Sequence, residues 1–109
     1  MIEKEIVETS VAIISKKEKF LALARKCAKI LKKKYNVHKI FLIGSLVIGH
    51  FHDESDIDLV VEGLKPEFYI KALTELYDLL PSGVDLNLIP FEDAFNSLKE
   101  KTIKEGMAI

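Results

Sequence analysis

The tightest constraint on the fold of this chain is the distance between an apolar run closed by Gly-Ser and a second apolar run that carries two aspartates. Ile40-Phe41-Leu42-Ile43 is stopped by Gly44-Ser45, which predicts a buried strand followed by a turn. After ten intervening residues, Asp56-Ile57-Asp58-Leu59-Val60-Val61 predicts a second strand. Side chains alternate along a strand, so Asp56 and Asp58 must share one face while Ile57, Leu59 and Val61 share the other. The apolar face suits a core. The acidic face places two anions side by side, and a fold keeps such a repelling pair chiefly to hold a cation.

Hard oxygen ligands that leave room for water and phosphate suit Mg²⁺. A Gly-Ser turn opening a short helix, expected over Leu46–Gly49, offers backbone N–H groups and a hydroxyl to phosphate oxygens. A phosphate cradle beside a divalent cation points to nucleotide chemistry. The five-part pattern is also specific, arising by chance in roughly one chain per thousand of this length at average residue usage. Gly44-Ser45, ten residues, Asp56, one residue and Asp58 resemble the signature of the DNA polymerase β-like nucleotidyltransferase superfamily. At 109 residues the chain resembles its minimal nucleotidyltransferase family in particular, over about residues 35–109.

Composition narrows the setting. A chain of 109 residues with 49% hydrophobic and 30% charged residues is of the size and kind that folds as one globular domain. A net charge of −1 supplies no overall basic field for nucleic acid. Its apolar runs fall well short of the ~20 residues of a membrane span, and no secretory pattern opens it. The single cysteine, Cys27, allows no internal disulfide, suits a reducing cytoplasm and reads as a small core residue on a helix.

Along the chain, residues 1–15 fit either a helix or a strand, and a helical extension is favoured; residues 16–109 form the expected domain. Ser15-Lys16-Lys17-Glu18 has the form of a capping box, with Ser15 starting the next helix. That helix carries Phe20, Leu23/Ala24, Cys27 and Ile30/Leu31 on one stripe and lysines at its C-terminal end, where they oppose the helix dipole. Asn36 is placed to end it in the left-handed conformation. Pro66–Leu80 predicts a second amphipathic helix, with Phe68, Ala72, Leu76 and Leu79/Leu80 inward, and Val84–Ile89 a third strand. On that strand Asp85 and Asn87 share a face. Phe91–Glu105 predicts a last helix with Phe91, Ala94/Phe95, Leu98 and Ile103 inward, stopped by Gly106. The expected fold is therefore α/β, a small mixed sheet of three to four strands with helices packed on one face.

The family resemblance implies more. Its two motif aspartates bind metal and a third aspartate on a later strand completes the site; Asp56, Asp58 and Asp85 match those positions. Two Mg²⁺ ions would then clamp the attacking and leaving oxygens of a nucleotidyl transfer from ATP. Asp56 and Asp58 would bridge the metals, and Asp85 would hold the one beside the attacking hydroxyl and accept its proton. Gly44, Ser45 and Gly49 are the nucleotide-binding candidates: Gly44 lets the backbone approach the phosphates, Ser45 adds a hydrogen bond, and Gly49 permits the following turn. Where family members carry a basic residue soon after Gly-Ser, this chain has Leu46-Val47-Ile48, so a cation for the triphosphate must come from elsewhere, with Lys39 or a lysine of the first helix as candidates. His50 and His52, in the loop beside the site, read as solvated residues. The resemblance further implies an antitoxin that modifies a tyrosine of a small helical HEPN-type toxin, with no template nucleic acid and no membrane. Two alternatives stand beside it: an adenylyltransferase acting on a small aminoglycoside-like molecule, and a catalytically impaired module that binds a partner protein. Homo-oligomerisation is left open by the sequence.

Overall fold

The computed structural model describes residues 2–44 and 56–109, with side chains described from Lys17 onward. Ser45, Gly49, His50, His52 and the expected helical turn over Leu46–Gly49 lie outside the described residues. In chain order the elements are α1 (Ile2–Tyr35), β1 (Lys39–Ile43), β2 (Ile57–Glu62), a 3-10 turn (Pro66–Phe68) and α2 (Tyr69–Leu79). They continue with β3 (Leu86–Pro90), a second 3-10 turn (Phe91–Asp93), α3 (Asn96–Glu105) and β4 (Met107–Ala108). The strands form a mixed sheet in the order β3-β2-β1-β4. β2 runs antiparallel to β1 and parallel to β3, and β4 adds antiparallel to the free edge of β1.

The expected alternation is what builds the core. Ile57, Leu59 and Val61 of β2 are fully buried, together with Ile40 and Leu42 of β1 and Leu86 and Leu88 of β3. Against this face pack Ala24, Cys27 and Leu31 of α1, one stripe of a helix at i, i+3 and i+7, and Ala72 and Leu76 of α2. Burial pushes the Cys27 thiol up to about 11, so it sits in the core as an unreactive small apolar group. α1 ends at Asn36, whose φ of 54° is left-handed, and Val37 N–H then donates to the Leu31 carbonyl at 3.2 Å. Lys34 and the Tyr35 hydroxyl both donate to Glu75 of α2, at 2.7 and 2.9 Å, tying the end of α1 to α2. Those two hydrogen bonds hold the Glu75 carboxylate below its usual range.

β3 is an edge strand, and two tyrosines of α2 cap its outer backbone groups. The Tyr69 hydroxyl donates to the Leu88 carbonyl at 2.7 Å, while the Tyr77 hydroxyl lies 3.1 Å from both the carbonyl and the N–H of Leu86. An exposed edge would offer unpaired donors and acceptors to another chain, and these hydroxyls occupy them. They also anchor the strand that carries Asp85 and Asn87.

The structure differs from the sequence expectation at both ends. α1 runs unbroken for 34 residues, so Ser15 and Glu18 lie inside a helix and do not form a cap. Residues 2–35 contain neither Gly nor Pro, so no strong helix breaker interrupts it. At the other end, Ala94 and Phe95 are extended, with ψ of 147° and 154°, so the expected single helix is a 3-10 turn and then α3. This break resets the helical phase. Phe95 and Ile103, expected inward, are 85% and 69% exposed, and Thr102 takes the fully buried position. Phe68 and Leu79, expected inward on the second helix, are also exposed, at 37% and 42%.

Two substitutions separate the core face of α2 from the outer face of α3. Leu76→Ala should lower the unfolding free energy by about 2–5 kcal/mol, as expected for truncating a fully buried leucine. Ile103→Ser should change it by no more than about 0.5 kcal/mol. Urea unfolding of both variants measures the two values, and a large loss for Ile103→Ser would place that side chain in the core after all.

Candidate active site

Two of the candidate site residues sit one step before a strand and a third sits within one. Asp56 immediately precedes β2, Asp58 is its second residue, and Asp85 immediately precedes β3. Ile57 pairs with Leu86 and Asp58 with Asn87, and Ile57 N–H donates to the Asp85 carbonyl at 3.0 Å. The ladder thus puts Asp56 beside Asp85 and Asp58 beside Asn87. Because Ile57 and Leu86 point into the core, these four polar residues lie together on the opposite face of the sheet. Parallel pairing is what brings the starts of β2 and β3 to one end of the sheet. The C-terminal end of β1 arrives there too, since Ile43 pairs with Asp58 in the antiparallel ladder.

Gly44 follows directly and has a φ of 86°, a left-handed conformation that suits glycine. A Cβ added there would collide with Oδ2 of Asp58. The absence of a side chain at Gly44 therefore makes room for the Asp58 carboxylate close against its backbone.

Asp58 is half-buried, and its carboxyl is raised above the usual range. Burial is the main cause. The neighbouring Asp56 charge adds to it, while a hydrogen bond from Asn87 and the positive charge of Lys101 on α3 work against it. Asn87 Nδ2 donates to Asp58 Oδ1 at 2.6 Å. α3 lies against β1, and Gly106 at its end packs so closely on Phe41 that an added Cβ would come within 3.3 Å of the Phe41 Cβ. Phe41 points to the same face as Asp58, so α3 borders the acidic site.

Among the described residues, no three His, Cys, Asp or Glu side chains gather closely enough to form a ready-made metal cage. Asp56 and Asp58 are electrostatically coupled; Asp85 shares their face and their end of the sheet without completing a three-carboxylate cluster. Mg²⁺ at nucleotide sites is commonly held by one or two carboxylates together with substrate phosphates and water. An Asp56–Asp58 pair on one face, with Asp58 half-buried, fits that requirement. A cleft of about 350 Å³ lined by Leu64, Pro66, Tyr69, Pro90 and Asp93 includes none of these residues and lies toward the other ends of β2 and β3.

Two residues of this site had no role in the sequence reading. Asn87 was placed on the face of Asp85, and its contact with Asp58 follows only from the parallel register. Lys101 lies 43 positions after Asp58 in the chain and gives no local signal; the packing of α3 brings it near. Lys39 is paired across the sheet with Glu62, at the other end of β1 from Asp58. Of the first-helix lysines, Lys34 is engaged by Glu75 and Lys32 donates to the Ile109 carbonyl at 2.6 Å. Among the described residues, Lys101 is the cation whose charge reaches Asp58.

The family described as Polymerase beta, Nucleotidyltransferase matches residues 25–109. A candidate protein adenylyltransferase of Methanocaldococcus jannaschii, MJ1379, is 37% identical over 90 residues, covering 78% of this chain and 88% of the relative. A second from the same organism, MJ1217, is 33% identical over 88 residues with the same coverage. Among solved structures, a crystal structure of a toxin–antitoxin with AMP-PNP is similar at a TM-score of 0.65 and 25% identity, covering 78% of this chain and 70% of that one. A crystal structure of the toxin–antitoxin MntA-HepT shares the fold at a TM-score of 0.59 and 21% identity, covering 81% and 69%.

Gly44→Ala tests the close approach of backbone and carboxylate. The left-handed φ alone should cost about 1–2 kcal/mol, and Asp58 must also shift to admit the methyl group. Urea unfolding should show at least that loss, whereas an unchanged midpoint would mean that Gly44 is not held in this conformation.

Proposed function

Because the chain belongs to the polymerase β nucleotidyltransferase family, we propose that it transfers AMP from ATP to a hydroxyl group of a partner protein. The observation that carries this reading is the Asp56–Asp58 pair at the sheet end where Gly44 lets its backbone and the Asp58 carboxylate come close. Paired carboxylates and a glycine that permits close backbone approach are what a metal-bound triphosphate needs on its two sides.

In the reaction, the acceptor oxygen bonds to the α-phosphorus, the bond to the bridging oxygen of pyrophosphate breaks, and the hydroxyl proton passes to a base. Asp56 and Asp58 are assigned to hold Mg²⁺, which supplies charge neutralisation of the triphosphate and of the leaving pyrophosphate. Asp85 is assigned as the acceptor of the hydroxyl proton and as a ligand of a second Mg²⁺ on that side. Gly44, with Ser45 and Gly49, is assigned to the phosphates. Lys101 is assigned the charge that the Leu46–Ile48 stretch lacks. Residues 16–109 are then the nucleotidyltransferase domain, residues 1–15 an extension of its first helix, and the cytoplasm its setting.

The relatives named as candidate protein adenylyltransferases favour a protein acceptor, and the similar toxin–antitoxin structures favour a toxin as that partner. On this reading the chain is an antitoxin, and the acceptor is a tyrosine of a HEPN-type toxin. Phe95, Ile103 and Ile70, each more than two-thirds exposed, leave apolar surface on α3 and α2 for such a partner.

Transfer of label from α-labelled ATP in the presence of Mg²⁺, with host lysate as acceptor, tests the activity. The expected result is one labelled protein band with the wild-type chain and none with Asp58→Ala. Pyrophosphate release without a labelled protein would point to a small-molecule acceptor. A folded chain that neither labels nor releases pyrophosphate with any of the four triphosphates would overturn the enzymatic reading and leave neutralisation by binding.

A further inference from the structure

The two oxygens of Asp58 are not equivalent. Oδ1 accepts from Asn87 Nδ2 at 2.6 Å, and Oδ2 sits over Gly44, in space that a Cβ would fill. The terminal torsion of an aspartate has a broad minimum, so a carboxylate at a strand end is free to rotate unless something holds it. Here the register places Asn87 directly beside Asp58, on the same face of the adjacent parallel strand.

We propose that Asn87 is a positioning residue, which turns the Asp58 carboxylate so that Oδ2, the oxygen above the Gly44 backbone, is the one presented to metal. The proposal rests on the reading of Asp58 as a metal ligand and adds which oxygen is used and what selects it. An amide is suited to this task because it donates a hydrogen bond while carrying no charge. A lysine or arginine in its place would orient Asp58 equally well but would compete with the metal for the negative charge. Oδ2, the oxygen that Asn87 does not engage, lies beside Gly44, so a cation bound to it would be next to the backbone assigned to the phosphates. Partners that orient a metal-binding carboxylate by hydrogen bonding commonly contribute 10–100-fold, roughly, to metal affinity.

Two measurements on the intact chain test this. In the metal-free protein, the side-chain amide protons of Asn87 should be displaced in a ¹H–¹⁵N spectrum, and Asp58→Ala should return them toward the free-amide position. Mn²⁺ binding, followed by electron paramagnetic resonance, should weaken by roughly 10–100-fold in Asn87→Ala, with the unfolding midpoint little changed. Asn87→Gln, which keeps the amide, should recover part of the loss. Wild-type affinity in Asn87→Ala, or an Asn87 amide signal that ignores Asp58→Ala, would overturn the proposal. If wild type and Asp58→Ala bind Mn²⁺ alike, the metal-ligand reading of Asp58 fails and the proposal falls with it. That outcome is distinct from one in which Asp58 matters and Asn87 does not.

Discussion

The register of β2 decides where the acidic side chains point, and the rest of the architecture holds that register in place. β2 is paired along both edges, antiparallel to β1 and parallel to β3. A slip of one residue would turn Ile57, Leu59 and Val61, which are fully buried, out of the core and would drive Asp56 and Asp58 into it. Burying two unpaired carboxylates in an apolar core is strongly unfavourable, so the slipped register is penalised on both faces at once. The same register sets the polar ladder of the site. With Ile57 beside Leu86, Asp58 has no neighbour on β3 except Asn87, and its other side faces the end of β1.

The elements around β2 each remove a way for that arrangement to fail. α1 and α2 cover the core face, and the Glu75 contacts with Lys34 and Tyr35 join the two helices. Tyr69 and Tyr77 occupy the outer edge of β3, which keeps the strand bearing Asp85 and Asn87 in the sheet. β4 and Ile109 close the other edge, with Ile109 N–H donating to the Ile40 carbonyl at 2.9 Å. α3 reaches the acidic face itself and contributes Lys101 there. Burial and the Asp56 charge raise the Asp58 carboxyl, while the Asn87 hydrogen bond and the Lys101 charge oppose them.

Much of this was legible in the sequence because it depends on local pattern. Alternation located the core faces of β1 and β2, the Gly-Ser break located the end of β1, and Asn36 marked the end of α1. The site was legible to the extent that Asp56 and Asp58 share a face by necessity and Asp85 precedes another alternating run. What the pattern could not supply was tertiary. The Ser15–Glu18 signature is a valid start signal, but no Gly or Pro precedes it and the helix runs through it. Phe95 and Ile103 have the spacing of an inward stripe only if the helix begins at Phe91, and the extended backbone at Ala94 and Phe95 breaks that phase. Asn87 and Lys101 needed the strand register and the placement of α3, respectively.

The sheet end formed by Asp56, Asp58 and Gly44 is proposed as a metal–triphosphate site. A crystal structure of the chain soaked with Mg²⁺ and ATP carrying an α,β-methylene bridge, which cannot undergo the transfer, tests it most directly. Mg²⁺ is expected between the Asp56 and Asp58 carboxylates and the triphosphate, with phosphate oxygens on the backbone at Gly44. A nucleotide bound elsewhere, for instance in the cleft between Leu64 and Pro90, with Asp56 and Asp58 untouched, would contradict it.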